Sequence, residues 1–222
     1  MRSQRACSAL LIGTVYPYGL AQTNPVREDH PRNPHTFKGR MRKEQEDLLL
    51  EADAAGEIHG AVLRLPDFYG PGVDKSFLHS IFVAAATGGR AQVIAPLDTP
   101  HEYVFVPDVG PVVARLIENP AAYGRVWHLA GAGTITTREV INQAFASTGH
   151  KPKTMVAGPM TLRLMGLFNP LLREMVEMNY LQTTPVVMDD TALRGLLGEI
   201  KKTSYQDGIR QCVEAAKTKK PA

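Results

Sequence analysis

Short apolar runs alternate along this chain with longer amphipathic stretches, and Gly/Pro-rich turns punctuate them. Ala9 to Ile12 predicts a short buried strand that ends in the turn-rich Tyr16-Pro17-Tyr18-Gly19. Asn24 to Pro34, with Pro25, Pro31 and Pro34 among polar residues, predicts a surface loop. Met41 to Ala55 predicts a helix stopped by Gly56, because Leu48, Leu49 and Ala52 fall on one side of a mostly charged stretch. A strand over Ile58 to Leu65 runs into the break Pro66-Asp67-Phe68-Tyr69-Gly70-Pro71-Gly72. A second helix covers Phe77 to Ala86 and ends at Gly88-Gly89, and Ala91 to Ala95 and Glu102 to Val106 alternate as strands.

Further on, Asp108 is placed to act as the N-cap of a helix over Val109 to Glu118. Val126 to Ala130 predicts another strand, and Thr136-Thr137-Arg138-Glu139 has the capping-box form before a helical run to Phe145. A strand at Thr154 to Ala157, a Met- and Leu-rich helical region from Met160 to Leu181 broken at Asn169-Pro170, and a last helix from Tyr205 to Ala216 complete the pattern. The methionines of that region read as core filler. Strands separated by helices predict an α/β fold with a largely parallel sheet.

Composition narrows the function classes. With 222 residues, 44% hydrophobic and 21% charged, the chain suits a globular fold of about one and a half domains at roughly 150 residues each. No apolar run approaches the ~20 residues of a membrane span. The net charge of +3 gathers at a Lys-rich end without interleaved aromatics, which reads as a solvated tail and not as a nucleic-acid surface. Cys7 and Cys212 lie at opposite ends with no metal spacing, as expected of free thiols in the cytoplasm. The opening Met1-Arg2-Ser3-Gln4-Arg5 and Ala6 to Ile12 imitate a signal peptide only faintly, since the apolar run is short and broken by Ser8.

Self-sufficient catalytic signatures are absent: the sequence contains no P-loop, no G-x-S-x-G, no H-E-x-x-H and no metal-spaced carboxylate cluster. The seven histidines are scattered and read as surface or packing residues. Gly131-Ala132-Gly133 follows a strand and precedes a helix, where a pyrophosphate could sit on backbone N–H groups. Thr136, however, stands where a third glycine would be needed, and no acidic residue follows at about 20 residues. A tight turn feeding a capped helix accounts for the same residues.

Five segments in order carry a collective signal. They are Val15-Tyr16-Pro17-Tyr18-Gly19, Pro25 to Pro31, Leu63-Arg64-Leu65-Pro66-Asp67-Phe68-Tyr69-Gly70-Pro71-Gly72, Glu102 to Val109, and Trp127-His128-Leu129-Ala130-Gly131. From about residue 9 to 216 the chain resembles the extended short-chain dehydrogenase/reductases, specifically the NAD-dependent epimerase/dehydratase group. The resemblance implies a Rossmann-like parallel sheet with a smaller C-terminal substrate-binding region, NAD or NADP as cofactor, and an alcohol/carbonyl pair on a sugar-like or small carbonyl substrate. It implies no metal, and it makes a homodimer through the helix bearing Lys43 an expectation. Residues 1–125 would be a partial Rossmann-like domain with interleaved substrate-region segments, and 126–222 mainly the substrate-binding region. The family's opening strand, Gly-rich turn and helix have no counterpart in this sequence, which resembles the family from about its fifth strand onward.

Site roles follow from the same resemblance. Thr14 falls where the family's catalytic Ser/Thr hydroxyl would hydrogen-bond the reacting oxygen, although a strand-end threonine satisfying a turn accounts for it equally well. The family's Tyr-x-x-x-Lys pair maps onto Lys38 and Arg42 if Glu46 matches the helix glutamate, or onto Gly39 and Lys43 one residue along; neither register supplies a tyrosine. A lysine passes a proton near neutral pH only with a depressed pKa, and a nearby Arg42 would push it that way. The solvated positive start of a helix is the simpler account. Leu65, Pro66 and Asp67 fall at cofactor-binding positions, and Tyr69, His101 and Asp108 at substrate-binding ones. Asp67 replaces an asparagine, and His101 stands where an arginine often binds substrate phosphate. A non-catalytic NAD(P)-sensing or partner-binding module of the same fold is the alternative reading.

Overall fold

The structure, a computed structural model, describes residues 7–158 and 177–218. In chain order its elements are β1 (Cys7–Thr14), α1 (Phe37–Ala54), β2 (Ile58–Leu65), β3 (Asp67–Tyr69), α2 (His79–Thr87), β4 (Ala91–Ile94), β5 (Pro100–Phe105), α3 (Val106–Ile117), β6 (Arg125–His128), β7 (Thr134–Thr136), α4 (Thr137–Ala146), β8 (Thr154–Ala157), α5 (Tyr180–Thr183), α6 (Thr191–Leu197) and α7 (Tyr205–Thr218). The chain forms two compact units. Among the described residues the first comprises 7–66, 108–130 and 186–201, and the second 67–107, 131–158, 177–185 and 202–218.

The first unit is built on a parallel sheet of order β1-β2-β6. Its register pairs Leu10 with Ala61, Thr14 with Leu65, and Arg64 with His128. The central strand β2 is buried from Gly60 to Leu65, as a strand flanked on both edges must be. Only Arg64 breaks that apolar run. Helix α1 packs on β1 and β2, with Thr36 as its N-cap, the side chain accepting from Gly39 N–H at 3.0 Å. Two glycines set how closely it lies. A Cβ on Gly13 would meet Glu46 Oε1 at 3.1 Å, and one on Gly39 would meet the Tyr16 carbonyl at 2.8 Å. The first turn of α1 therefore rests on the 3-10 turn Tyr16–Tyr18 that follows β1. Within the same unit, the loop after that turn is tied down where Val26 N–H donates to the Val187 carbonyl at 2.7 Å and Asp189 N–H donates to the Val26 carbonyl at 2.8 Å.

The second unit surrounds one apolar core. Tyr69 from β3, Ile81 and Phe82 from α2, Phe105 from β5, Val140 and Phe145 from α4, and Ile209 and Val213 from α7 bury their side chains together. Parallel pairing joins β3 to β5 and β4 to β8, while β7 pairs antiparallel with β5. Gly208 of α7 lies directly under the Tyr69 ring, where a Cβ would come within 3.0 Å of two ring carbons.

The expected α/β organisation and parallel strands are present, with boundaries shifted by a few residues. Three local expectations change: first, Asp67–Tyr69, expected within the break from Pro66 to Gly72, is strand β3. Helix α3 starts at Val106, so Asp108 sits inside its first turn, where a carboxylate complements the helix dipole, and not at the N-cap. The run Thr134–Thr136 is strand β7, so Gly131-Ala132-Gly133 leads into a strand before the capped helix α4 begins. Gly131 N–H donates to Glu102 Oε1 at 3.2 Å, which occupies the group a pyrophosphate would need. The capping box itself is formed, Thr136 and Glu139 bonding each other's backbone N–H groups. The break expected at Asn169-Pro170 lies outside the described residues.

Gly39→Ala adds a methyl 2.7 Å from Pro34 Cβ and 2.8 Å from the Tyr16 carbonyl. Helix propensity favours the change, but the clash outweighs it, and thermal or urea unfolding should show a loss of roughly 1–3 kcal/mol. An unchanged or higher stability would show that the start of α1 does not rest on this turn.

Candidate functional site

Parallel α/β sheets bind ligands beyond the carboxyl ends of their strands. In the first unit Thr14 ends β1 and Leu65 ends β2, side by side in register. Thr14 Oγ1 accepts a hydrogen bond from Tyr16 N–H at 3.3 Å, so the turn uses the hydroxyl as an acceptor while its own proton points elsewhere. Lys38, half-buried, lies in the first turn of α1. Arg42 is one turn further, where its Nη1 donates to Gln45 Oε1 at 3.0 Å. Glu46 follows another turn on, and its carboxylate faces the sheet. Residues four apart drift by about 40° around a helix, so Lys38, Arg42 and Glu46 form one stripe.

Behind that end of the sheet stands a buried polar network. Arg64 and Glu46 are each 1% exposed and form a bidentate pair, Nε to Oε1 at 2.8 Å and Nη2 to Oε2 at 2.5 Å. Arg32 adds a third contact to Glu46 at 3.2 Å and pairs with Asp47 at 2.6 Å. Arg64 Nη1 donates to the Tyr18 hydroxyl and its guanidinium lies over the Tyr18 ring, 4.7 Å from the centroid. The Tyr18 hydroxyl meets His128 Nε2 at 2.5 Å, and His128 Nδ1 faces the Asp189 carbonyl at 3.1 Å. A carbonyl only accepts, so Nδ1 carries the proton and Nε2 receives the tyrosine's.

Electrostatics agree with that order of donors. Burial, helped by the Arg64 charge, pulls His128 down from 6.5 to about 4, keeping it neutral. Burial pushes the Tyr18 hydroxyl up to about 12 against the pull of Arg64. Burial would also lower Arg64, but its hydrogen bond to Glu46 and the charges around it raise it instead. Glu28, whose Oε1 accepts His128 N–H at 3.1 Å, is raised by burial.

In the second unit, Asp67 begins β3 and His101 is the second residue of β5. Asp67 Oδ2 and His101 Nε2 are 2.8 Å apart, and both side chains are buried. The Tyr103 ring lies 4.6 Å from the imidazole. Tyr69 does not line an open surface: its ring is 1% exposed and packs on Phe82, Tyr103, Phe105 and Tyr205. Leu65 and Pro66 are buried, and Asp108 is half-buried. Thus the structure joins Thr14 with Leu65 and Asp67 with His101, and it buries Tyr69 in a core. Among the described residues no group of three or more His, Cys, Asp or Glu could hold a metal ion. No helix among them is long and apolar enough to cross a membrane.

Sequence reasoning missed the Tyr18–His128–Arg64–Glu46 network. One signal was available: Arg64 is a lone charge inside the apolar run Ala61-Val62-Leu63-Arg64-Leu65, and a buried charge demands a partner.

Comparison with known proteins defines the class. The family described as the NAD dependent epimerase/dehydratase family matches residues 1–130, more than half of the chain. The protein belongs to that family. A probable dTDP-4,6-dihydroxy-2-methyloxan-3-one 4-ketoreductase of Streptomyces antibioticus is 25% identical over 145 residues, which is 65% of this chain and 46% of that protein. This chain therefore spans less than half the length of that relative. Among solved structures, RMD from Pseudomonas aeruginosa complexed with NADPH superposes with a TM-score of 0.78 at 16% identity, covering 96% of this chain and 68% of that one. The UDP-glucuronic acid 4-epimerase of Bacillus cereus in complex with NAD gives 0.75 at 16%, covering 94% and 60%. At these identities the structural likeness establishes the fold.

A histidine depressed below its unfolded value contributes stability that is complete above pH 6.5 and lost as pH falls toward about 4. Thermal unfolding across that window should lose roughly 2 kcal/mol that His128→Gln, which does not titrate, keeps. Glu28 is raised and works in the opposite sense, so the comparison is between the two proteins at each pH. Identical pH profiles would mean that His128 is not held neutral.

Proposed function

We propose that this protein handles an alcohol/carbonyl pair on a sugar-like or small carbonyl substrate as part of an NAD(P)-dependent epimerase, dehydratase or reductase. The observation that carries the reading is the Thr14 hydroxyl at the carboxyl end of β1, which accepts from Tyr16 N–H of the turn on which the first turn of α1 rests. Thr14 Oγ1 already serves Tyr16 N–H as an acceptor, so its own proton is available to the reacting oxygen. Lys38, in the same first turn of α1, is the candidate for moving a proton at that oxygen, with Arg42 one turn behind it. The burial of Glu46 supports the register that gives Lys38 and Arg42 these positions.

Cofactor fit is divided. Among the described residues the Gly131–Gly133 turn does not suit a pyrophosphate, because Glu102 takes the Gly131 N–H. Leu65 and Pro66, at the strand end beside Thr14, are the residues that would meet the nicotinamide, with Asp67 following. When bound, NAD or NADP supplies the hydride chemistry. Exposed Phe37, Met41 and Leu48 on one stripe of α1 support pairing with a second copy, and the free thiols Cys7 and Cys212 suit the cytoplasm.

Lys38 in place of a tyrosine favours a second reading, a non-catalytic NAD(P)-sensing or partner-binding module. Following NAD(P)H oxidation against nucleotide 4-keto sugars and small carbonyl compounds separates the two. The catalytic reading expects turnover that falls about 100-fold in Thr14→Val, with KM little changed. Saturable NADPH binding without any turnover would sink it in favour of the binding module.

A further inference from the structure

The polar loop between the Tyr16–Tyr18 turn and α1 leaves and returns at one point. Gly19, at φ 66°, lies against Asn33, whose carbonyl a Cβ there would strike, and Pro34 packs on Gly39 of α1. A loop whose ends touch and whose own side chains fill it is an Ω-loop. His30 is the buried filler of this one, 8% exposed and set T-shaped against the Tyr18 ring at 5.2 Å. Two hydrogen bonds fix where its proton lies. Gln22 N–H donates to Nε2 at 3.0 Å, so Nε2 is bare. Nδ1 faces the Pro31 carbonyl at 2.9 Å, which can only accept, so Nδ1 carries the proton. The fold thus holds a neutral ring in a single tautomer.

From Asn24 onward the loop is fastened elsewhere. Asn24 Oδ1 accepts Val187 N–H at 2.9 Å, and Val26 is bonded to Val187 and Asp189. Between the neck at Gly19 and that anchor lie Leu20, Ala21, Gln22 and Thr23, exposed or half-buried, which the Gln22–His30 bond ties to the rest of the loop. We infer that His30 is a proton-operated latch on this limb. An imidazolium carries N–H on both nitrogens, so a protonated Nε2 sets a donor against the Gln22 donor, and that bond is lost while the Pro31 bond stays. The latch is closed above the midpoint of the His30 titration and open below it. Around the ring stand Arg27, Glu28, Asp29 and Arg32 on its own loop, and Tyr18 against it. Arg64 and His128 also touch Tyr18, Arg32 holds Glu46 and Asp47 of α1, and Asp189 is in Coulombic reach of Arg27. The limb continues directly from the turn whose Tyr16 N–H is bonded to Thr14, so the latch acts beside that strand end and does not depend on the chemistry proposed for it.

The test follows histidine ring resonances and backbone amide exchange of the full 15N-labelled chain across the titration of His30. The neutral ring should carry its proton on Nδ1. As the ring gains its second proton, the Gln22 protection factor should fall at least about tenfold with the same midpoint, while Val26 and Asp189 keep theirs. His30→Gln offers a carbonyl to Gln22 and an amide to Pro31, so Gln22 should stay protected at every pH. His30→Phe should leave Gln22 unprotected at every pH, with Val26 unchanged. A neutral ring protonated on Nε2, a ring that stays neutral until the chain unfolds in acid, or Gln22 protection indifferent to the ring's charge would each overturn the inference. So would a loss of Gln22 protection in His30→Gln with the midpoint of the parent protein.

Discussion

A guanidinium buried in the middle of a parallel sheet is the constraint on which the first unit depends. Arg64 occupies a strand flanked on both edges, where every other position from Gly60 to Leu65 is apolar or glycine. Leaving such a charge unpaired would be prohibitive, so its donors must be met from the elements on top of the sheet. Glu46 meets it from α1 and Tyr18 from the turn after β1. Because the Glu46 contact is bidentate, it fixes α1 in rotation as well as in distance. Gly13 and Gly39 then allow the close approach that this geometry demands. The relation between Thr14 at the end of β1 and Lys38 at the start of α1 is thus a consequence of where Arg64 is buried.

The two polar clusters answer burial differently. In the first unit the donors and acceptors run in order from Arg64 through Tyr18 and His128 to the Asp189 carbonyl, and each member meets the next. A satisfied chain of this kind rigidifies its surroundings. In the second unit Asp67 and His101 meet at 2.8 Å, and His101 Nδ1 has no hydrogen-bond partner among the described residues.

Much of the fold was legible in the sequence because local chemistry and tertiary context agree. The capping box at Thr136 and Glu139, the stop at Gly88 and the buried strand Ile58–Leu65 all formed where the pattern indicated. The α3 start was misjudged because Asp108 suits both an N-cap and the first turn, and Pro107 suits the first turn as well. The short strand β7 was missed since three residues beside a cap signal carry no periodicity of their own. At the candidate site, Thr14 and Lys38 are named by the family resemblance, through the Tyr18-Gly19 and Glu46 landmarks. The partnership of Asp67 with His101 was not legible, because it joins residues 34 apart through strand register.

The central claim is that Arg64 and Glu46 act as one unit, and a double-mutant cycle measures that directly. Urea unfolding of Arg64→Met, Glu46→Gln and the double variant gives the coupling free energy between them. Each single change should cost several kcal/mol by stranding a buried polar partner, and the double should cost at least about 2 kcal/mol less than the sum. Additive costs would contradict the account, since the two side chains would then be buried independently and α1 would owe its position to something else.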